Sequence, residues 1–371
     1  MSISRRKFVS LTAASAPAIW SGALLRGQGG GRGRGIAKPD SRYAGVQIGV
    51  ISYSFRTMPA TDLIPTIAKL GINEVELMSD HAETLVGAPT APPRPQAAPA
   101  GNGGGRGAGG GRAAPPPVAY YSGSVCDGRA PQTQAPARGA NASVPPPSVS
   151  PEQQKFREEV AQWRTSEATM NKYRDLRKQF DDAGIQLALL CYNMNGNIAD
   201  DEIDYAFRMA QALGVKAISS SSTVTNAKRV APFADRYKLT WGGHGHDDIC
   251  DPEQFAKPET FEKIMSFSPY IGVNLDIGHY TAAGYDAVPF IRRYHDRITN
   301  LHLKDRFRNQ GAGRGANVRW GDGETPIREV LQLLRREQYP IPANIEYEYQ
   351  GTNPVIEVAK CLQYAKDILV G

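Results

Sequence analysis

Four of the chain's six histidines stand just after short apolar runs, and carboxylates accompany them. "WGGHGH" supplies His244 and His246, and "NLDIGH" supplies Asp276 and His279, three residues apart. "LHLKD" supplies His302, Lys304 and Asp305, and "IEYEY" supplies Glu346 and Glu348. A lone histidine or aspartate at a strand end commonly caps a helix or completes a hydrogen bond. Several of them at neighbouring strand ends point to one centre. Two imidazoles and two carboxylates converging on one ion form a mixed N/O set, which suits Mn, Co, Zn or Fe and suits Mg less well. On this reading one divalent ion is the expected cofactor. Asp276 is a ligand to it, and His279 faces the substrate.

The elements that must position these side chains follow from the apolar pattern. Strand-like runs occur at 46–52, 74–78, 186–191, 216–220, 238–241, 272–276, 299–303 and 344–347. Helix-like stretches lie between them at 60–70, 172–183, 201–213, 258–266, 287–294 and 326–336, with another at 354–369 after the last strand. The segment 225–235 carries the weakest helical pattern. Eight strands alternating with helices predict a parallel sheet with right-handed crossovers. Two segments are low in complexity: a Gly/Arg linker at 27–35, and a Pro/Gly/Ala/Arg-rich stretch at about 88–150 that contains "GNGGGRGAGGGR". The second cannot bury enough apolar surface to offset its ordering entropy. Removing both with the N-terminus leaves roughly 265 residues, close to the usual size of one (β/α)8 barrel, whose active site lies at the C-terminal ends of the strands. The main rival is a doubly wound open sheet, which the lack of a GxGxxG after the first strand weakens. The expected fold is therefore an α/β TIM barrel over 43–371, with a long disordered insertion after strand two. Deleting residues 90–148 is expected to leave the fold intact.

The N-terminus reads as an address. "SRRKFV" places Arg5 and Arg6 ahead of a modest apolar stretch, the layout of a twin-arginine export signal. Residues 1–35 are thus expected to be signal and linker, with the twin-arginine translocase as partner and the periplasm as destination. No cysteine closes the apolar stretch as a lipoprotein anchor would require. No run is long and apolar enough to be an ordinary membrane span. The net charge of +6 is carried by Arg5, Arg6, Lys7, Arg26, Arg32 and Arg34, with no acid among residues 1–35. Subtracting those six charges leaves zero for the rest, so no overall basic excess argues for nucleic acid. The four cysteines (Cys126, Cys191, Cys250 and Cys361) form no CxxC pair, which argues against a structural zinc knuckle.

These residues resemble the xylose-isomerase-like barrel superfamily, specifically its sugar phosphate isomerase/epimerase group. The resemblance runs from about residue 46 to 369, apart from the insertion. It rests most on "DIGH" and "HLKD", on "WGDGETPI" at 320–327, and on the steps from residue 244 to 276, 302 and 346. It implies a metal site of His244, Asp276, His302 and Glu346. It further implies substrate contacts from His279 and from Lys304 or Arg308, with Glu76 in "VEL" as a pocket carboxylate. One departure stands out: an HxH pattern replaces the glutamate that epimerases place at the end of strand five. An endonuclease of the same fold would need more ligands, and DNA to act on.

The implied chemistry begins with a divalent ion polarising a sugar carbonyl so that an enediolate forms when the α-proton leaves. Glu346 is the candidate base, with His246 or His279 opposite. A metal-held carboxylate is a weak base, and an unligated His246 is better matched to neutral pH. Return of the proton gives a sugar isomerase or epimerase. Loss of a β-substituent gives a keto-sugar dehydratase or 3-keto-glycoside lyase. A sugar-binding protein without turnover is the third reading. An exported location favours an unphosphorylated carbohydrate, on which Tyr53, Phe55, Trp241 or Trp320 can stack.

Overall fold

The computed structural model describes residues 38–91, 150–309 and 314–371. The expected export signal, the Gly/Arg linker and the expected insertion over 92–149 lie outside the described residues. Eight parallel strands close on themselves: β1 (Val46–Ile51), β2 (Glu74–Met78), β3 (Gln186–Cys191), β4 (Ala217–Ser220), β5 (Thr240–His244), β6 (Ile271–Asp276), β7 (Ile298–Leu303) and β8 (Ala343–Ile345). Each pairs in parallel with the next, and β8 returns to β1. Helices flank the closed sheet. They include α1 (Leu63–Lys69), α2 (Ser79–Leu85), α3 (Pro151–Thr165), α4 (Glu167–Asp182), α5 (Asp200–Leu213), α6 (Val224–Tyr237), α7 (Pro258–Met265), α8 (Ile277–Ala282), α9 (Ala287–Tyr294), α10 (Ile327–Glu337) and α11 (Pro354–Val370). This is a TIM barrel, and residues 92–149 fall in the chain between α2 and α3, after the second strand.

The local causes are ordinary. β1 reads VQIGVI and is buried throughout, as a parallel strand covered on both faces must be. α5 opens on Asp200, Asp201 and Glu202, whose charges suit a helix N-terminus, and closes on Gly214 in the left-handed region. The weakly patterned segment does form a helix: the Thr223 side chain caps α6 by accepting from the Asn226 N–H at 3.1 Å.

Two strands differ from their expected bounds. β5 runs later than 238–241, because Lys238 forms the left-handed cap of α6 and the strand continues through Gly242 and Gly243. Glycine is required there by close approach. A Cβ on Gly243 would meet Ile264 Cδ1 at 2.7 Å and Phe255 at 2.9 Å. β8 is shorter than expected, so Glu346 sits just past its end while its N–H still donates to the Leu303 carbonyl at 3.0 Å.

Candidate active site

The closed, parallel arrangement brings all strand C-termini to one rim. His244 ends β5, Asp276 ends β6, His302 is the penultimate residue of β7, and Glu346 follows β8. One ligand atom from each of these four lies within 4.8 Å of the others, and all four residues are buried.

Beneath them lies a polar layer built from distant strands. Glu76 on β2 is fully buried and accepts hydrogen bonds from Asn300 Nδ2 (2.8 Å), Asn344 Nδ2 (2.9 Å), His302 Nε2 (2.7 Å) and the Ser219 hydroxyl. In the neutral ring that a metal ligand requires, the His302 Nε2–H donates to Glu76 and Nδ1 keeps the lone pair. In the same way His244 Nδ1 donates to Asn274 Oδ1 at 3.0 Å, which leaves Nε2 free. A carboxylate or amide that orients a histidine through its far nitrogen is the usual support of a metal ligand. Three buried atoms have no hydrogen bond: Asp276 Oδ2, His302 Nδ1 and Glu346 Oε2. His302 Nδ1 approaches Glu346 Oε2 to 3.2 Å, but without hydrogen-bond alignment. Two imidazole nitrogens whose far sides are anchored, with two carboxylate oxygens that have no hydrogen bond, fit a divalent cation.

Lys304 enters this cluster directly. Its ammonium lies 3.0 Å from Asp276 Oδ2 and 2.9 Å from Glu346 Oε2, and it donates to Glu348 Oε2 at 2.6 Å. Burial opposes its charge, yet Asp276, Glu346 and Glu348 outweigh burial and raise its pKa. Burial also opposes ionisation of Glu346, but Lys304 and His302 prevail and hold it well below the ordinary carboxylate range. Asp276 is pushed up to about 7, first by burial and then, against the pull of Lys304, by the charge of Glu346. Burial disfavours a charged His302, and Glu76 and Glu346 overcome this and raise its pKa.

A second group lies beside the first. His244, His246 and His279 also place one nitrogen each within 4.8 Å of the others. His246 Nε2 meets the Ser221 hydroxyl at 3.1 Å. His279 Nδ1 lies 2.9 Å from Asp247 Oδ1 and also touches Arg306 Nη1; the tautomer that donates to Asp247 is the one that leaves Nε2 unprotonated, and Asp247 is held in turn by Arg306 at 3.3 Å and Asn309 at 3.0 Å. Despite burial, His279 and Arg306 keep the Asp247 carboxyl well below its usual range. Burial, with Lys304 and Arg306 adding to it, lowers His279 far below 6.5, and burial and Lys304 also lower His246. Both imidazoles are therefore neutral at pH 7. His279 keeps its Nε2 lone pair.

His244, His246, His279, His302, Lys304, Glu346 and Glu348 line a cavity of about 200 Å³, together with Tyr53. That is smaller than the roughly 300–1,000 Å³ of sites for drug-sized ligands, so the cavity suits a small ligand. Three expected substrate contacts are placed elsewhere. Glu76 is below the cavity and anchors His302, because its oxygens are consumed by donors inside the barrel. Trp241 is fully buried against Phe255, at 6.2 Å between ring centroids, so it is core and does not stack on a ligand. Arg308 turns outward, donates to the Gly284 carbonyl at 3.0 Å and approaches Glu324 at 3.9 Å. The buried basic residue beyond Lys304 is Arg306, at the period-two position of the short strand Asp305–Arg306. Asp247 and Arg306 escape a reading of strand ends, since Asp247 follows the HxH pattern in a loop and Arg306 follows the seventh strand. Asp305 has a further role. It accepts from the N–H groups of Gly321, Gly323 and Thr325 at 2.8, 3.1 and 3.1 Å, which pins the "WGDGETPI" loop.

The sequence profile of the family described as xylose isomerase-like TIM barrel matches residues 151–365. None of the curated proteins compared matches the chain. Among solved structures, the chain is similar to the probable 3-DHS dehydratase AsbF of Bacillus anthracis, with a TM-score of 0.53 and 12% identity over 88% of this chain and 99% of that one. It is similar to the 3-keto-D-glucoside 4-epimerase YcjR of E. coli, with a TM-score of 0.50 and 10% identity over 87% and 99%. It is also similar to the IOLI protein with a binding zinc atom, with a TM-score of 0.53 and 12% identity over 87% and 98%. At these identities the likeness shows the fold alone.

Proposed function

Because the chain belongs to the xylose isomerase-like TIM barrel family, we propose that it is a divalent-metal-dependent isomerase or epimerase of an unphosphorylated sugar or keto-sugar. One observation carries this reading: three members of the four-residue ligand set, His244, His302 and Glu346, line the same cavity as His279, which Asp247 contacts from behind. A bound ion, with Mn, Co or Zn best matched to the donors, would supply Lewis acidity to a substrate carbonyl. His244, Asp276, His302 and Glu346 would hold it. His279 Nε2 takes the proton next to the carbonyl, and Asp247 stabilises the imidazolium that results. Glu346 is a poorer base, since a carboxylate that holds the ion has given that ion the lone pair a proton would need. His246, with its ring centroid 5.1 Å from that of His279, is the second group able to move a proton.

The substrate class follows from the charges. Among the described residues lining the cavity, the one lysine or arginine is Lys304, and three carboxylates already engage it. None of these described residues is therefore a free lysine or arginine that would anchor a phosphate. The Arg5–Arg6 pair supports placing the reaction outside the cytoplasm, with the twin-arginine translocase as the export partner.

A second reading is loss of a β-hydroxyl or β-alkoxyl from a keto-sugar or keto-glycoside. The adjacency of His246 and His279 favours it, since the imidazole that takes the proton becomes an imidazolium that can return that proton, directly or through its neighbour, to a leaving group on the same face. Incubation of the metal-loaded protein with keto- and aldo-sugars in heavy water, followed by NMR, separates the readings. Deuterium in a rearranged sugar supports the isomerase or epimerase. An eliminated product supports the lyase. Binding without exchange or elimination rejects both and leaves a sugar-binding protein.

A further inference from the structure

Lys304 is a cation already seated among the carboxylates that the metal-site reading assigns to a divalent ion. The oxygens nearest its ammonium, Asp276 Oδ2 at 3.0 Å and Glu346 Oε2 at 2.9 Å, are the same two that lack any hydrogen bond. Its third partner, Glu348, is not among the expected ligands and lies closer to the surface, with 22% of its side chain exposed. The lysine's place is built into the fold. A Cβ on Gly278 would collide with Lys304 Cγ and lie 2.8 Å from the Lys304 carbonyl oxygen, so the glycine of "DIGH" makes the slot for the lysine stem. Lys304 is only 3% exposed, so its charge must be met by these carboxylates.

Resting on the metal-site reading, we propose that Lys304 is an internal counter-cation that competes with the divalent ion for Asp276 and Glu346, and that metal binding transfers its ammonium wholly to Glu348. Two cations cannot share these oxygens at contact distance, because their repulsion in a buried site is large. The lysine keeps the carboxylates together before the ion arrives and stands at the cavity wall afterwards. It is a positioning residue for the metal ligands.

The test is calorimetric titration of Mn²⁺ and of Zn²⁺ into metal-free full-length wild type, Lys304→Met and Glu348→Gln at pH 7, with melting curves of each. Lys304→Met should bind the ion at least about tenfold more tightly than wild type, since a buried like charge has been removed. It should melt lower than wild type without metal and recover with it. Glu348→Gln removes the ammonium's second seat and should bind metal more weakly than wild type. A Lys304→Met protein that binds metal no more tightly than wild type overturns the proposal and leaves the metal site standing. If neither wild type nor Lys304→Met binds an ion, both the proposal and the metal-site reading fall. If Lys304→Met does not fold without metal, Glu348→Gln decides alone, and a wild-type affinity there overturns the proposal.

Discussion

Glu74 and Glu76 stand two residues apart on β2, so their side chains leave the same face of the strand. Their surroundings are opposite. Glu76, toward the rim that carries the site, accepts from five side chains on β4, β6, β7 and β8. Glu74, toward the other end of the barrel, is also buried, yet its Oε1 has no hydrogen bond and it borders a cavity of about 170 Å³. Burial pushes its pKa up to about 7, against the opposing pull of Lys216 and Arg42. One end of the barrel surrounds a carboxyl with donors and uses it to aim a histidine. The other end buries a carboxyl with little compensation. A buried glutamate is therefore not a site in itself. Convergent donors make the difference.

The same substitution at both positions tests this contrast, and the largest effect is expected at the rim. Glu76→Gln places an amide NH2 among donors and should cost on the order of 3–5 kcal/mol of folding stability, read by urea denaturation. Glu74→Gln should cost far less at neutral pH. Equal losses at the two sites would break the contrast.

Next in size is His279→Ala, which should lower turnover by about 10²–10⁴-fold with the melting temperature and metal affinity nearly unchanged. Asp247→Asn should lower turnover less, by roughly 10–100-fold. Steady-state kinetics on the substrate found in heavy water, with melting curves alongside, check both. An unaltered rate in His279→Ala would remove it from the reaction.

The pH dependence sharpens the comparison at the Glu74 end. Its folded pKa is raised from 4.5 to about 7, so the unfolded chain ionises first. The stability Glu74 contributes is complete below pH 4.5 and is lost as pH rises through 7. The stability difference between wild type and Glu74→Gln should shift against wild type by on the order of 2 kcal/mol between pH 4.5 and 8. Parallel pH profiles would show that Glu74 is better solvated than its burial suggests. The smallest expected effect is at Arg308. Its outward side chain predicts that Arg308→Ala changes neither stability, beyond about 0.5 kcal/mol, nor substrate KM.

Much of the architecture is legible in the amino-acid sequence. Eight apolar runs separated by helical stretches specify a closed parallel sheet, and parallel strands deliver all their C-termini to one rim. His244, Asp276, His302 and Glu346 can therefore be placed together from their positions at the ends of those runs. The identity of their neighbours is not legible. Glu76 reads as a pocket carboxylate until closure of the barrel surrounds it with Asn300, His302 and Asn344, all more than 220 residues away in the chain. Arg306 and Arg308 share the alternation of Lys304. Only the pairing of Asp305–Arg306 with Asn317–Val318 turns Arg306 inward and lets Arg308 leave. Trp241 lies on the strand that ends in His244, yet it packs into the core against Phe255, because side chains three residues apart on a strand leave opposite faces. The sequence alone determined the repeating elements and the residue types at their ends, since hydrophobic periodicity is a local property. The tertiary structure decided which carboxylate binds, which one positions and which cation sits between them, since these depend on distances across a closed barrel.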